Sequence, residues 1–105
     1  VDLIVCLGGD GTVLHTSYLF PGPIAPLLPI AGGSLGFMTS VAKDEARSTL
    51  ARVLDGHKET VNVSMRMRLQ VTLHRAGGTE PELLGVGLNE VLLDRGGSPF
   101  MAMLD

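Results

Sequence analysis

Leu3-Ile4-Val5-Cys6-Leu7-Gly8-Gly9-Asp10-Gly11-Thr12 decides how this 105-residue chain is read. Its first half is a continuous apolar run, the pattern of a strand buried on both faces in a parallel sheet. Its second half is a glycine turn, followed by Val13-Leu14-His15-Thr16-Ser17-Tyr18-Leu19-Phe20, whose pairs Val13/Ser17 and Leu14/Tyr18 suit a helix with one apolar side. A strand, a tight turn and a helix start together make an anion site. Glycine lets the backbone come close to a phosphate, and the N–H groups of the first helical turn point at it. Gly8, Gly9, Gly11 and Thr12 are therefore the candidate phosphate loop. Asp10 is the odd member, since a carboxylate there repels an anion unless it accepts a proton or holds a metal ion. The plainer alternative is that Asp10 only caps the helix through its side-chain oxygen.

Outward from this turn, Pro21-Gly22-Pro23 stops the helix. A second strand is expected around residues 27–30, with Pro29, which brings no N–H to a ladder, at an edge or a strand end. Ala31-Gly32-Gly33-Ser34-Leu35-Gly36-Phe37 then forms a loop at the carboxyl end of that strand, where open α/β sheets place their ligand crevices. Phe37 either fills core or offers its face to a nucleobase. Ala42, Ala46, Leu50, Val53 and Leu54 share one stripe of a helix over residues 42–55, with Asp44 and Glu45 complementing its dipole.

The period then changes to two. Val61, Val63, Met65, Met67, Leu69, Val71 and Leu73 alternate with polar residues, which predicts one long antiparallel strand over 61–73 with a buried face and the Met pair in the core. Ala76-Gly77-Gly78-Thr79 turns the chain, residues 83–88 return, and further strands are expected at 91–93 and, after Gly96-Gly97, at 99–104. The expected fold class is α/β. A truncated Rossmann-like part spans 1–58, and the start of an antiparallel, β-rich domain spans 59–105.

Hydrophobic residues make up 45% of the chain, which is globular rather than disordered composition. A net charge of −3 with scattered basic residues gives no nucleic-acid footprint. No apolar run approaches the ~20 residues of a membrane span, and no signal-peptide pattern is visible. The lone Cys6 reads as a buried structural thiol. The chain opens at Val1 already in a strand and stops while another runs, so both ends read as cuts through a longer protein.

Gly8-Gly9-Asp10-Gly11-Thr12 resembles the motif shared by NAD kinases, diacylglycerol and sphingosine kinases and, with Ser for Thr, phosphofructokinases. Gly33-Ser34-Leu35-Gly36-Phe37-Met38-Thr39 resembles the second NAD kinase motif. Leu88-Asn89-Glu90-Val91-Leu92-Leu93-Asp94-Arg95-Gly96 resembles the third, including the Asp-Arg-Gly tail common in eukaryotic members. The three follow the family's order across nearly the whole chain, so the sequence is similar to NAD kinases.

That resemblance implies phosphoryl transfer from ATP to the adenosine ribose 2′-hydroxyl of NAD, giving NADP, with a divalent cation such as Mg²⁺ on the phosphates. It implies that Asp10 is the catalytic proton acceptor and that Gly11 contacts the dinucleotide through its backbone. His15 stands where bacterial members place an Arg that contacts NAD, Phe37 matches a Phe lining the NAD pocket, and Asn89 and Glu90 match the pair that binds adenosine. Ala31 stands where bacterial members have Asn, so no polar contact is carried over there, and no side chain is assigned to the metal. The implied partners are NAD and ATP, in a cytoplasmic homo-oligomer with no nucleic acid or membrane, organellar targeting being left open. The substrate is expected in the cleft between the two parts, and the 105 residues alone are expected to be inactive. Two alternatives stand beside this. One is a lipid kinase, although those enzymes follow Gly-Gly-Asp-Gly-Thr with Asn-Glu where this chain has Leu14-His15. The other is a dinucleotide-binding module without catalysis.

Overall fold

The structure is a computed structural model that describes residues 1–56, 60–78 and 80–101. Strand β1, Ile4–Gly8, pairs in parallel with β2, Leu27–Ala31, and helix α1, Asp10–Leu19, connects them. The expected α/β opening is thus present. The helix begins at Asp10, ahead of Val13, because Gly9 in extended conformation serves as its N-cap. It ends at Leu19, just before Pro21.

The core lies between this sheet and α1. Cys6, Leu28, Ile30 and Ala31 are buried from the strands, and Val13, Thr16 and Ser17 from the helix. Cys6 is the buried thiol that the sequence suggested, with Sγ 3.3 Å from Thr16 Oγ1. The Thr16 hydroxyl in turn donates to the Thr12 carbonyl at 2.8 Å, which satisfies it inside its own helix. The buried side of α1 therefore follows Val13, Thr16 and Ser17, while Tyr18 stays exposed.

One expectation about β1 fails. Val5 and Leu7, on the face away from α1, are 45% and 61% exposed, so the strand is covered on one side only among the described residues. An uninterrupted apolar run reports a strand built to be covered twice, and here only α1 supplies a cover.

Pro29 sits where its chemistry allows. Ile4 N–H donates to Pro26 O and Gly32 N–H donates to Gly8 O. In a parallel ladder alternate residues face the same neighbour, so residues 28, 30 and 32 present their N–H groups to β1 and Pro29 faces the other edge. On that edge Ala31 N–H donates to Val41 O at 2.8 Å, and Ile30 bridges Val41 in parallel. The missing donor thus lies at an edge, as expected.

A 3₁₀ turn, Lys43–Glu45, leads into helix α2, Ala46–Leu54. Together they occupy the span expected for one helix. None of the α2 residues is buried; Leu50 and Val53 of its apolar stripe are half-covered and Leu54 is exposed. The expected boundary at 58/59 falls outside the described residues.

Strands β3, Leu69–Leu73, and β4, Glu82–Gly87, pair antiparallel. The switch from a parallel to an antiparallel sheet is the one expected. The length is not, because residues 61–68 form no strand, and Met65 and Met67 are each 90% exposed rather than packed in a core. Alternation alone signals a strand with a covered face, and among the described residues no strand pairs with 61–68. Pairing slips between Val71 and Thr72, leaving Leu84 as the extra residue of a bulge. The turn falls at Ala76-Gly77, with Gly77 at φ 72°, and the Arg75–Glu82 ion pair at 3.0 Å closes the hairpin. Thr79 and residues 102–105 lie outside the description. Residues 91–93 and 99–101 are not strands either; a turn at Gly96-Gly97 is present.

Candidate active site

The β1–α1 turn brings Asp10 to the first position of α1, yet its side chain makes no capping bond to that helix. It reaches instead to the loop after β2. Asp10 Oδ2 accepts the Phe37 N–H at 2.9 Å. Oδ1 accepts the Met38 N–H at 2.9 Å and the Thr39 hydroxyl at 3.2 Å. The capping alternative is therefore set aside, and Asp10 links the first and second glycine motifs.

Its ionisation follows from this geometry. The Met38 amide holds the carboxyl below its ordinary value of 3.8, helped by the Phe37 amide and by Thr39 and opposed by partial desolvation. Asp10 is accordingly an anion throughout the neutral range.

The loop can lie this close only because of Gly36. A Cβ there would collide with Asp10 Oδ1 and would stand 2.6 Å from Thr39 Oγ1. Gly36 N–H donates to Thr39 Oγ1 at 3.0 Å and to the Thr39 carbonyl at 3.1 Å, which closes the loop on itself. In the first motif Gly8 is required for a similar reason, since any side chain would strike Thr12. Gly9 and Gly11 face open space, so packing within this chain does not demand them.

Phe37 is 79% exposed and is not core filler. Together with Met38, Arg66, Met67, Asn89 and Glu90 it lines an open cavity of about 490 Å³. That volume is in the range of small-molecule sites. The Arg66 guanidinium stands 5.0 Å from the centre of the Phe37 ring, within reach of a cation–π contact.

Of the residues singled out in the sequence, Phe37, Asn89 and Glu90 are thus brought to one cavity, and Asp10 is tied to its wall. Gly8, Gly9, Gly11 and Thr12 form the adjacent turn. His15 is exposed on α1 and does not line the cavity. Sequence reasoning missed Thr39, Met38, Arg66 and Met67. Thr39 closes the second motif, so its position was a usable signal; Arg66 and Met67 were hidden in an alternation that read as plain strand.

Residues 1–58 match the ATP-NAD kinase N-terminal domain. The whole chain is 39% identical to a stretch of "NAD kinase 2, chloroplastic" of Arabidopsis thaliana and covers 11% of that protein. It is 38% identical to "NAD(+) kinase" of Saccharomyces cerevisiae, with 99% of this chain and 22% of that protein covered. Against "NAD kinase" of Geotalea daltonii the identity is 44%, over 90% of this chain and 32% of that protein. A crystal structure of yeast NADH kinase complexed with NADH superposes with a TM-score of 0.76 at 31% identity, covering 94% of this chain and 28% of that one. The chain spans only about a tenth to a third of the length of these relatives.

Proposed function

This chain belongs to the ATP-NAD kinase family, and we propose that the protein containing it transfers the γ-phosphoryl group of ATP to the adenosine ribose 2′-hydroxyl of NAD. One observation carries the proposal. The two residues whose amides grip the Asp10 carboxylate, Phe37 and Met38, also line the cavity that Asn89 and Glu90 line. A dinucleotide lying in that cavity meets an aromatic face, an amide and a carboxylate suited to base edge and ribose hydroxyls, and a fixed anion at its border.

In the proposed step the 2′-oxygen forms a bond to the γ-phosphorus, the bond to the bridging oxygen of ADP breaks, and the hydroxyl proton passes to Asp10. The donors on Asp10 make it a weak base that is always ionised at neutral pH. A loose phosphoryl-transfer transition state asks for little more than that, since positioning and charge stabilisation do most of the work. Gly9 and Gly11, free of packing duties, suit the approach of phosphates to the turn, and Gly11 is assigned to the dinucleotide backbone contact. His15 keeps only a secondary place in this reading. The described residues contain no group of three or more His, Cys, Asp or Glu able to hold a metal. The Mg²⁺ ion that the resemblance implies is assigned to the phosphates of ATP, whose charge it would offset. The homo-oligomer and the cytoplasmic location that the resemblance implied remain part of the proposal.

The test uses the intact protein. Incubation with NAD and ATP is expected to yield NADP, read by an NADP-specific dehydrogenase. Asn89→Ala and Glu90→Ala are each expected to raise the KM for NAD roughly 3- to 10-fold, the worth of one hydrogen bond, while the KM for ATP stays put. No NADP from the wild type would sink the activity. Equal loss for both substrates would remove the pair from the dinucleotide site.

A further inference from the structure

Thr39 has 0% exposure and is the largest fully buried side chain among the described residues. It is a hydroxyl in a loop, and its proton and one of its two lone pairs are engaged. Oγ1 accepts the Gly36 N–H at 3.0 Å, which leaves its single proton for Asp10 Oδ1 at 3.2 Å. An ionised carboxylate offers about four lone-pair directions, two on each oxygen. Oδ1 is filled by the Met38 amide and the Thr39 hydroxyl, whereas Oδ2 receives only the Phe37 amide.

We propose that Thr39 is a positioning residue for Asp10: its buried hydroxyl completes Oδ1, locks the carboxylate in one orientation, and leaves Oδ2 as the oxygen that takes the substrate hydroxyl proton. This rests on the kinase reading above for the identity of the proton, but the lock itself does not. Gly36 supports the assignment from the other side, since its lack of a side chain is what lets the hydroxyl, the amides and the carboxylate converge. The segment over residues 33–39 brings no titratable side chain to Asp10; α1 carries His15 and Tyr18, and β1 carries Cys6.

The test compares Thr39→Val, which keeps the shape and removes the hydroxyl, with Thr39→Ser, which keeps the hydroxyl, in the intact protein. Thr39→Val is expected to lower kcat ~10-fold or more, as a misoriented catalytic group does. Its KM for NAD should stay within about threefold, because the dinucleotide contacts are untouched. The acidic limb of its kcat profile moves to higher pH, since one donor that holds Asp10 ionised is gone. Thr39→Ser restores all of this, and a role in packing alone would not move the limb. An unmoved limb, or a Ser variant as damaged as the Val variant, overturns the proposal. If Thr39→Val does not fold, Thr39→Ala takes its place against Ser. Titration of the Asp10 carboxyl by carbon-13 NMR reads the lock without turnover. A wild type that makes no NADP but shows the Asp10 titration rising on loss of the hydroxyl would refute the kinase reading and leave the lock standing; a titration that does not move refutes the lock.

Discussion

Asp10 accepts three hydrogen bonds from residues 27 to 29 positions downstream, and this explains why its role was only half legible in the sequence. Residue types and spacing offered a cap or a catalytic carboxylate; a carboxylate that fastens a distant loop has no periodic signature. The fastening also changes what its replacement does. Asp10→Asn turns one carboxylate oxygen into an NH₂ group facing a backbone N–H, so the variant loses its proton acceptor and loosens the second motif together. Because the folded carboxyl titrates below its ordinary value of 3.8, its stabilising contribution is present at neutral pH. That contribution fades as pH falls below 3.8 through the lowered folded value. The difference in Tm between wild type and Asp10→Asn is therefore expected to shrink on acidification over that window, and a constant difference would contradict the bonds described. Gly36→Ala is expected to cost ~1–3 kcal/mol, the usual range for forcing extra volume into a filled site, measured by urea unfolding. A neutral result would show that the loop has room to move.

At the scale of elements, the first half of the chain was readable and the second only in outline. The apolar run 3–7, the glycine turn and Pro21 fix β1 and α1 by local chemistry, and even Pro29 announced its edge. Residues 61–68 alternate as a strand does, but a strand needs a partner, and partners are a property of the surrounding chain. What holds this region near α1 is Arg68, which a sequence reader passes over as one polar residue in an alternation. Its guanidinium donates to the carbonyls of Phe20 and Gly22, just past the carboxyl end of α1. The Phe20 carbonyl, at the C-cap, is an orphan of the helix end, Gly22 lies two residues further on, and a cation there complements the helix dipole. Arg68→Ala is expected to lower stability by on the order of 1 kcal/mol, a value kept small because the contact is solvent-exposed. Lys cannot reproduce the fork, so Arg68→Lys should rescue little of it. Urea midpoints equal to wild type for both variants would remove the fork from the account.

For the molecule as a whole, the radius of gyration is 18.7 Å, against about 13 Å for a compact domain of this length. The extents of 57 × 31 × 18 Å tell the same story. Val5, Leu7, Met65, Met67, Leu92 and Phe100 all lie exposed, and unpaired strand edges accompany them. The polypeptide 1–105 on its own is thus expected to self-associate at micromolar concentration and to make no NADP; a monomer by light scattering with turnover would refute both statements. One feature connects the pieces mechanically. Helix α1 is a stiff rod of about 15 Å, gripped at its amino end through Asp10 and just beyond its carboxyl end by Arg68. The two grips turn the rod into a strut between the hairpin and the wall of the cavity. A strut held at both ends is expected to pass strain from one joint to the other, so that loosening the segment ahead of the hairpin changes how the carboxylate is held. Arg68→Ala is accordingly expected to lower kcat in the intact protein although Arg68 does not line the cavity, and an unchanged kcat would show that the two joints act separately.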